Sequence, residues 1–160
     1  MSDPLMPYAG RYRQPSGPGD ERPTAIQVIH DNDLVDKWRG KVVFVTGGTS
    51  GIGTETARAL FATGANVFIT ARDLDKASNV IARIRKATQG DGQLEAIEMD
   101  MDKLESVKEA ARAFLKKSER LDVLVNNAGK HTYKTSVARL GSYLPAILRH
   151  HGSSRTCHHK

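Results

Sequence analysis

The sequence predicts an α/β protein built on a doubly wound parallel sheet of about four strands in the order 3-2-1-4. Three observations predict it. Apolar runs of strand length alternate with amphipathic stretches of helix length from Lys41 to Gly129. The clearest runs are continuous rather than alternating, as in strands buried on both faces. A glycine-rich turn, TGGTSGIG (46–53), joins the first run to the first amphipathic stretch.

The elements follow in order. Residues 1–23 are rich in Pro, Gly and Arg and poor in large apolar side chains. Such a segment buries too little surface to offset its ordering entropy, which predicts a disordered N-terminal region. Residues 24–40 carry Ile26, Val28, Ile29, Leu34, Val35 and Trp38, and fit either a short helix or an extended lead-in on the sheet edge. VVFVT (42–46) is the first strand, and Ile52, Thr56, Ala59 and Leu60 recur behind it at helical spacing. NVFIT (66–70) is the second strand. Asp73 is placed to cap a helix whose Leu74, Ala77, Ile81 and Ile84 share a face. LEAIEM (94–99) is a weaker third strand, and Asp102 is placed to cap a helix bearing Leu104, Val107, Ala111, Phe114 and Leu115. LDVLVN (121–126) is the fourth strand. Residues 24–129 thus form one domain, and the pattern stops at Gly129. Residues 130–160 offer only the weakly amphipathic SVARLGSYLPAIL, interrupted by Pro145, and are expected to be an irregular tail.

Composition excludes several classes of function. The net charge of +6 invites nucleic acid, but much of the excess lies at the ends, in Arg11, Arg13, Arg22, Arg149, Arg155 and Lys160. No basic stripe with interleaved aromatics accompanies it, so no nucleic-acid partner is expected. No run reaches the ~20 apolar residues of a membrane span, and the N-terminus has no apolar signal core. A lone cysteine, Cys157, cannot form an internal disulfide, which favours a reducing compartment and makes the cytoplasm the expected location. His150, His151, Cys157, His158 and His159 match no structural zinc spacing and flank a Gly-Ser-Ser run, so no metal site is predicted.

The chemistry is concentrated in TGGTSGIG. Gly47, Gly51 and Gly53 leave no Cβ where a diphosphate must approach the backbone. The helix that follows offers free N–H groups and its positive dipole end. A strand before the turn and a helix after it are the context a dinucleotide site requires.

On these residues the sequence resembles the short-chain dehydrogenase/reductase family. Thr-Gly, three residues, Gly, one residue, Gly is that family's cofactor loop, and NNAG (126–129) after the fourth strand is its second hallmark. KVVFVTGGTSGIG and VFITARDLDKA look most like the retinol-dehydrogenase-like branch of fungal type. The resemblance covers roughly residues 26–129 and implies a partial Rossmann fold. It implies that Gly47, Ser50, Ile52 and Gly53 line the diphosphate and that Asp100 meets the adenine amino group. It further implies that Asn127, Ala128 and Gly129 run under the nicotinamide-side ribose, while Asn126 braces the sheet.

Cofactor choice rests on the end of the second strand, Thr70-Ala71-Arg72-Asp73. An acid beside the adenosine ribose would bind the 2′-hydroxyl of NAD, whereas an arginine accommodates a 2′-phosphate. Arg72 can make a forked contact with phosphate, and Lys76, one helical turn on, adds charge. Asp73 competes for the hydroxyl, but its reading as a helix cap leaves NADP the expected cofactor over NAD.

The family's proton transfer needs a tyrosine with a lysine four residues later, the lysine lowering the tyrosine pKa. Tyr8, Tyr12, Tyr133 and Tyr143 are followed at that distance by Tyr12, Ser16, Val137 and Ile147. No fifth strand with its serine is present, and Tyr133 and Ser136 read as solvated tail residues, so no catalytic residue is assigned. The fourth strand is expected to be an exposed edge, and the helices forming the family's usual dimer surface are missing. The chain therefore reads as an NADP-dependent alcohol/carbonyl oxidoreductase by family, with its catalytic half missing through truncation, frame shift or splicing. The alternatives are a non-catalytic nucleotide-binding or interaction fragment and an inactive product. The substrate is not legible.

Overall fold

The computed structural model describes residues 6–129. The chain divides into two units, Met1–Ala128 and Gly129–Lys160, and every element described lies in the first. Four strands, β1 (Val42–Val45), β2 (Asn66–Ala71), β3 (Leu94–Glu98) and β4 (Val123–Val125), form a parallel sheet in the order β3-β2-β1-β4. Four helices, α1 (Ala25–Asp31), α2 (Gly51–Ala62), α3 (Leu74–Ala87) and α4 (Leu104–Lys117), accompany them. The alternation read from the sequence is the alternation observed.

Both faces of the sheet are buried because β1 and β2 are apolar at successive positions. Val43, Val45, Val67 and Ile69 point to one face and pack with Ala57 and Phe61 of α2 and Val80 and Ile84 of α3. Val42, Phe44, Phe68 and Ile97 point to the other and pack with Ala110 and Phe114 of α4. Phe114 meets Phe44 and Phe68 edge-on at 5.1 and 5.3 Å between centroids, each pair worth about 0.5–1.5 kcal/mol beyond burial.

Residues 24–40 resolve the choice between helix and extended lead-in. Thr24 accepts from the N–H of Gln27, whose side chain returns a bond to the Thr24 N–H, and this capping box starts α1. Ile29 then packs against Ala59 and Ala62, so α2 is buried against α1 as well as against the sheet. Asp36 and Trp38 donate their N–H groups to Ala62 and Thr63, satisfying carbonyls at the end of α2. Ahead of α1, where disorder was expected, residues 6–23 carry a 3-10 turn, Ala9–Tyr12, but no fully buried side chain. Asp20 organises this segment by accepting from the N–H groups of Ser16, Gly17 and Arg22 and from the Arg22 guanidinium. That guanidinium holds the Asp20 carboxyl far below the usual carboxylate range, helped by the three N–H donors.

Two helix faces differ from expectation. Leu74 and Leu104, the first residues of α3 and α4, are exposed, as are Ala111 and Leu115. The core face of α4 is centred on Ala110 and Phe114, which leaves Leu104, Ala111 and Leu115 on its flank. Nor does Asp102 cap α4. The cap position is Lys103, with no side-chain capping bond, while Asp100 accepts from the Asp102 N–H at 3.2 Å.

At the amino ends of the strands, Asp122 ties β4 to β1. Its carboxylate accepts from the Arg120 guanidinium at 2.5 Å and the Val42 N–H at 2.8 Å, with Lys41 at 3.5 Å. These donors, Arg120 first, lower its pKa to about 2. Among the described residues β4 is an edge strand, with Leu124 52% exposed. No helix among them is long and apolar enough to cross a membrane.

Candidate functional site

The turn from β1 into α2 lies at the carboxyl ends of the strands, where open α/β sheets bind ligands. Neighbouring elements hold it. Thr46, just beyond β1 and 7% exposed, accepts at its hydroxyl from the N–H groups of Asn127 (3.0 Å) and Ala128 (2.9 Å). Asn127 returns its carboxamide N–H to the carbonyls of Thr46 (2.9 Å) and Gly47 (3.1 Å). On the β2 side, the Thr70 hydroxyl accepts from the Gly47 N–H at 3.0 Å, and its carbonyl accepts from the Gly48 N–H at 3.2 Å. From α2, the Thr54 hydroxyl donates to the Gly48 carbonyl at 3.1 Å.

The three glycines of the motif divide into different roles. Gly47 has φ +71°, a backbone suited to glycine, and a Cβ there would stand 3.0 Å from the Ala128 Cβ. A Cβ on Gly53 would overlap the Gly47 carbonyl and stand 2.5 Å from Asn127 Nδ2. Only Gly51, at φ +53°, faces open space. The three positions thus differ in what a Cβ would meet. Gly47 makes the turn and Gly53 lets helix and turn close on each other, while Gly51 bares the backbone. This division fits a dinucleotide loop.

Ser50 is the N-cap of α2, but its hydroxyl makes no capping bond. Among the described residues no side chain takes the first-turn N–H groups of Gly51, Ile52 and Gly53, and they stand at the positive end of the helix. Ile52 is 81% exposed there, so its part in the helical pattern was not a core position. Residues and fold together meet the requirements of a diphosphate cradle: backbone amides at a helix N-terminus and, at Gly51, no Cβ beside them.

Beside this loop, β2 ends at Ala71 and the chain exposes Arg72. Among the described residues neither the Arg72 guanidinium nor the Lys76 ammonium has a hydrogen-bond or ion-pair partner. The Asp73 carboxylate is engaged, accepting from the Lys76 N–H at 2.9 Å as the cap of α3. Asp100, just beyond β3, is anchored by its own N–H to Ser106 Oγ at 2.9 Å, with Lys103 at 3.5 Å from its carboxylate.

The two asparagines differ in their contacts. Asn126, expected to brace the sheet, is exposed and its side chain has no partner among the described residues. Asn127 does the bracing, because its carboxamide reaches the carbonyls of Thr46 and Gly47. Gly129 is exposed and is the last described residue. The sequence reading missed Thr46, Thr54 and Thr70. A signal existed for two of them: VVFVT and NVFIT both close an apolar run with a threonine just before the carboxyl edge. Tyr133, Ser136, His150, His151, Cys157, His158 and His159 lie outside the described residues.

Comparison with known proteins agrees with this geometry. A family model described as short chain dehydrogenase matches residues 41–140. The chain is 46% identical over 122 residues to the short-chain dehydrogenase/reductase prx1 of Penicillium roqueforti, covering 76% of this chain and 35% of that protein. It is 40% identical over 90 residues to human retinol dehydrogenase 11, covering 56% and 28% of the two chains. Among solved structures it resembles a metagenomic short-chain oxidoreductase in complex with NADP, at 35% identity and a TM-score of 0.56, covering 64% and 45%. The chain thus spans about a third of the length of the curated relatives it matches. With the strand order, the glycine loop and these relatives on one side of the comparison, the chain belongs to the short chain dehydrogenase family.

Proposed function

We propose that this chain is the NADP-holding part of an oxidoreductase that moves hydride between an alcohol and a carbonyl. The observation that carries the reading is the crossover at Gly47–Gly53, where a prebuilt turn leads into a helix whose first-turn amides no side chain caps among the described residues. Those amides hold the diphosphate. Arg72 and Lys76 take the ribose 2′-phosphate, an assignment supported by their unpaired charges and by the engagement of Asp73 in capping α3. Asp100 serves the adenine amino group. Ala128 and Gly129 run beside the nicotinamide-side ribose, while Asn127 acts on the nucleotide through the loop it braces. The bound nicotinamide supplies the hydride donor or acceptor. The chain's own part is to hold and orient it.

Proton transfer is a separate requirement, and no tyrosine in these 160 residues has a lysine four places on. That observation favours a second reading, a nucleotide-binding module without turnover. Titration of the full chain with NADPH and NADH tests the first claim. NADPH binding about tenfold tighter than NADH is expected, the worth of one charge-assisted contact. Indifference to both at millimolar concentration overturns it. Oxidation of NADPH by any of a panel of aldehydes and ketones overturns the second reading.

A further inference from the structure

We infer that Thr70 is a positioning residue that sets the diphosphate loop and ties it to the 2′-phosphate arm, a role that rests on the nucleotide reading above. Thr70 is 2% exposed near the end of β2. Its hydroxyl accepts from the Gly47 N–H at 3.0 Å and its carbonyl from the Gly48 N–H at 3.2 Å, so it holds two successive amides of the turn. Gly47 is the residue with φ +71°, and turning its amide toward β2 is what directs the following backbone toward α2. The carbonyl anchor survives any substitution, but the hydroxyl anchor does not.

Thr70 also lies two residues before Arg72 on the same backbone. The loop that meets the diphosphate and the guanidinium that meets the 2′-phosphate are therefore both referenced to this one residue. The two phosphate groups of the ligand are spaced by covalent bonds, so a loop released from Thr70 loses its match to the diphosphate while Arg72 keeps its own contact. A residue needed only for folding would weaken both contacts together.

The test uses the full chain with two probes, ADP, which carries a diphosphate, and adenosine 2′-monophosphate, which carries only the 2′-phosphate. Thr70→Val keeps the volume and removes the acceptor. It is expected to weaken ADP by about five- to tenfold, the worth of one hydrogen bond, with the 2′-monophosphate unchanged and Thr70→Ser restoring ADP. Parent-like ADP affinity in T70V overturns the inference, as does equal loss on both probes without rescue by T70S. If T70V does not fold, Thr70→Ala against T70S supplies the same contrast. Amide exchange in the ligand-free protein separates the two claims. If the parent binds neither probe, the NADP reading fails, yet faster exchange at Gly47 in T70V with Asn127 unchanged still supports the hold of Thr70. Unchanged exchange at Gly47 overturns it.

Discussion

The glycine loop and the Arg72 arm stand at the ends of adjacent strands and are built on opposite principles. The loop is braced: Thr54, Thr70 and the Asn127 carboxamide bond its backbone from α2, β2 and the segment after β4, and the Thr46 hydroxyl, just beyond β1, holds that segment by the N–H groups of Asn127 and Ala128. The arm is left open, with the cations of Arg72 and Lys76 unpartnered among the described residues. A diphosphate is common to every nicotinamide dinucleotide, so a rigid shape that needs no rearrangement serves it. The 2′-phosphate is what distinguishes one dinucleotide from another, and unpaired charge is what can respond to it. On the proposed reading, affinity resides in the braced loop and selectivity in the unpartnered cations.

Substitutions can break this contrast. The largest effect is expected at Gly53→Ala, where the new Cβ overlaps the Gly47 carbonyl. The turn must open, lowering stability by about 3 kcal/mol in urea unfolding. Gly51→Ala adds its Cβ to open space, so it should cost only about 1 kcal/mol for the left-handed backbone. Its nucleotide affinity, by calorimetry, should nevertheless fall at least about tenfold, because the methyl stands where the backbone was bare. If G53A keeps its stability, or G51A binds like the parent, the loop is not the prebuilt cradle described. Arg72→Gln sharpens the comparison from the other side, weakening NADPH about tenfold while NADH changes less than about twofold. Equal loss for both would move Arg72 out of the selectivity role.

The smallest effect is expected at the far end of the sheet and serves as a control. The pKa of Asp122 is held at about 2, below the ordinary carboxylate value, chiefly by Arg120. Its contribution to stability is therefore complete above the ordinary carboxylate range and is lost as the pH falls through about 2. Asp122→Asn should lower the thermal midpoint at pH 7, converge with the parent near pH 2, and leave nucleotide affinity untouched.

Much of this was legible beforehand because the signals are local. The alternation of strands and helices is visible in runs such as VVFVT and NVFIT, and a doubly wound sheet built from it takes the strand order 3-2-1-4. Asp73 was legible as a cap because its bond reaches only three residues, to Lys76. Helix faces were legible only to within a residue. Leu104 and Leu115 fit the period as well as Phe114 does, and nothing local says which stripe the sheet meets. Asn127 and Thr46 were misjudged or missed because their bonds join positions 81 residues apart.

By itself, then, the sequence determined the alternating elements, the glycine turn between strand and helix, and the arginine that follows the second strand, since each depends on neighbours along the chain. The tertiary structure alone decided that a Cβ on Gly53 would meet the Gly47 carbonyl, that the Asn127 carboxamide braces the loop, and that Thr70 holds the Gly47 and Gly48 amides. Those roles arise only when parallel pairing brings the ends of β1, β2 and β4 side by side, and a hydrogen bond forms only between atoms the fold has already placed within about 3 Å.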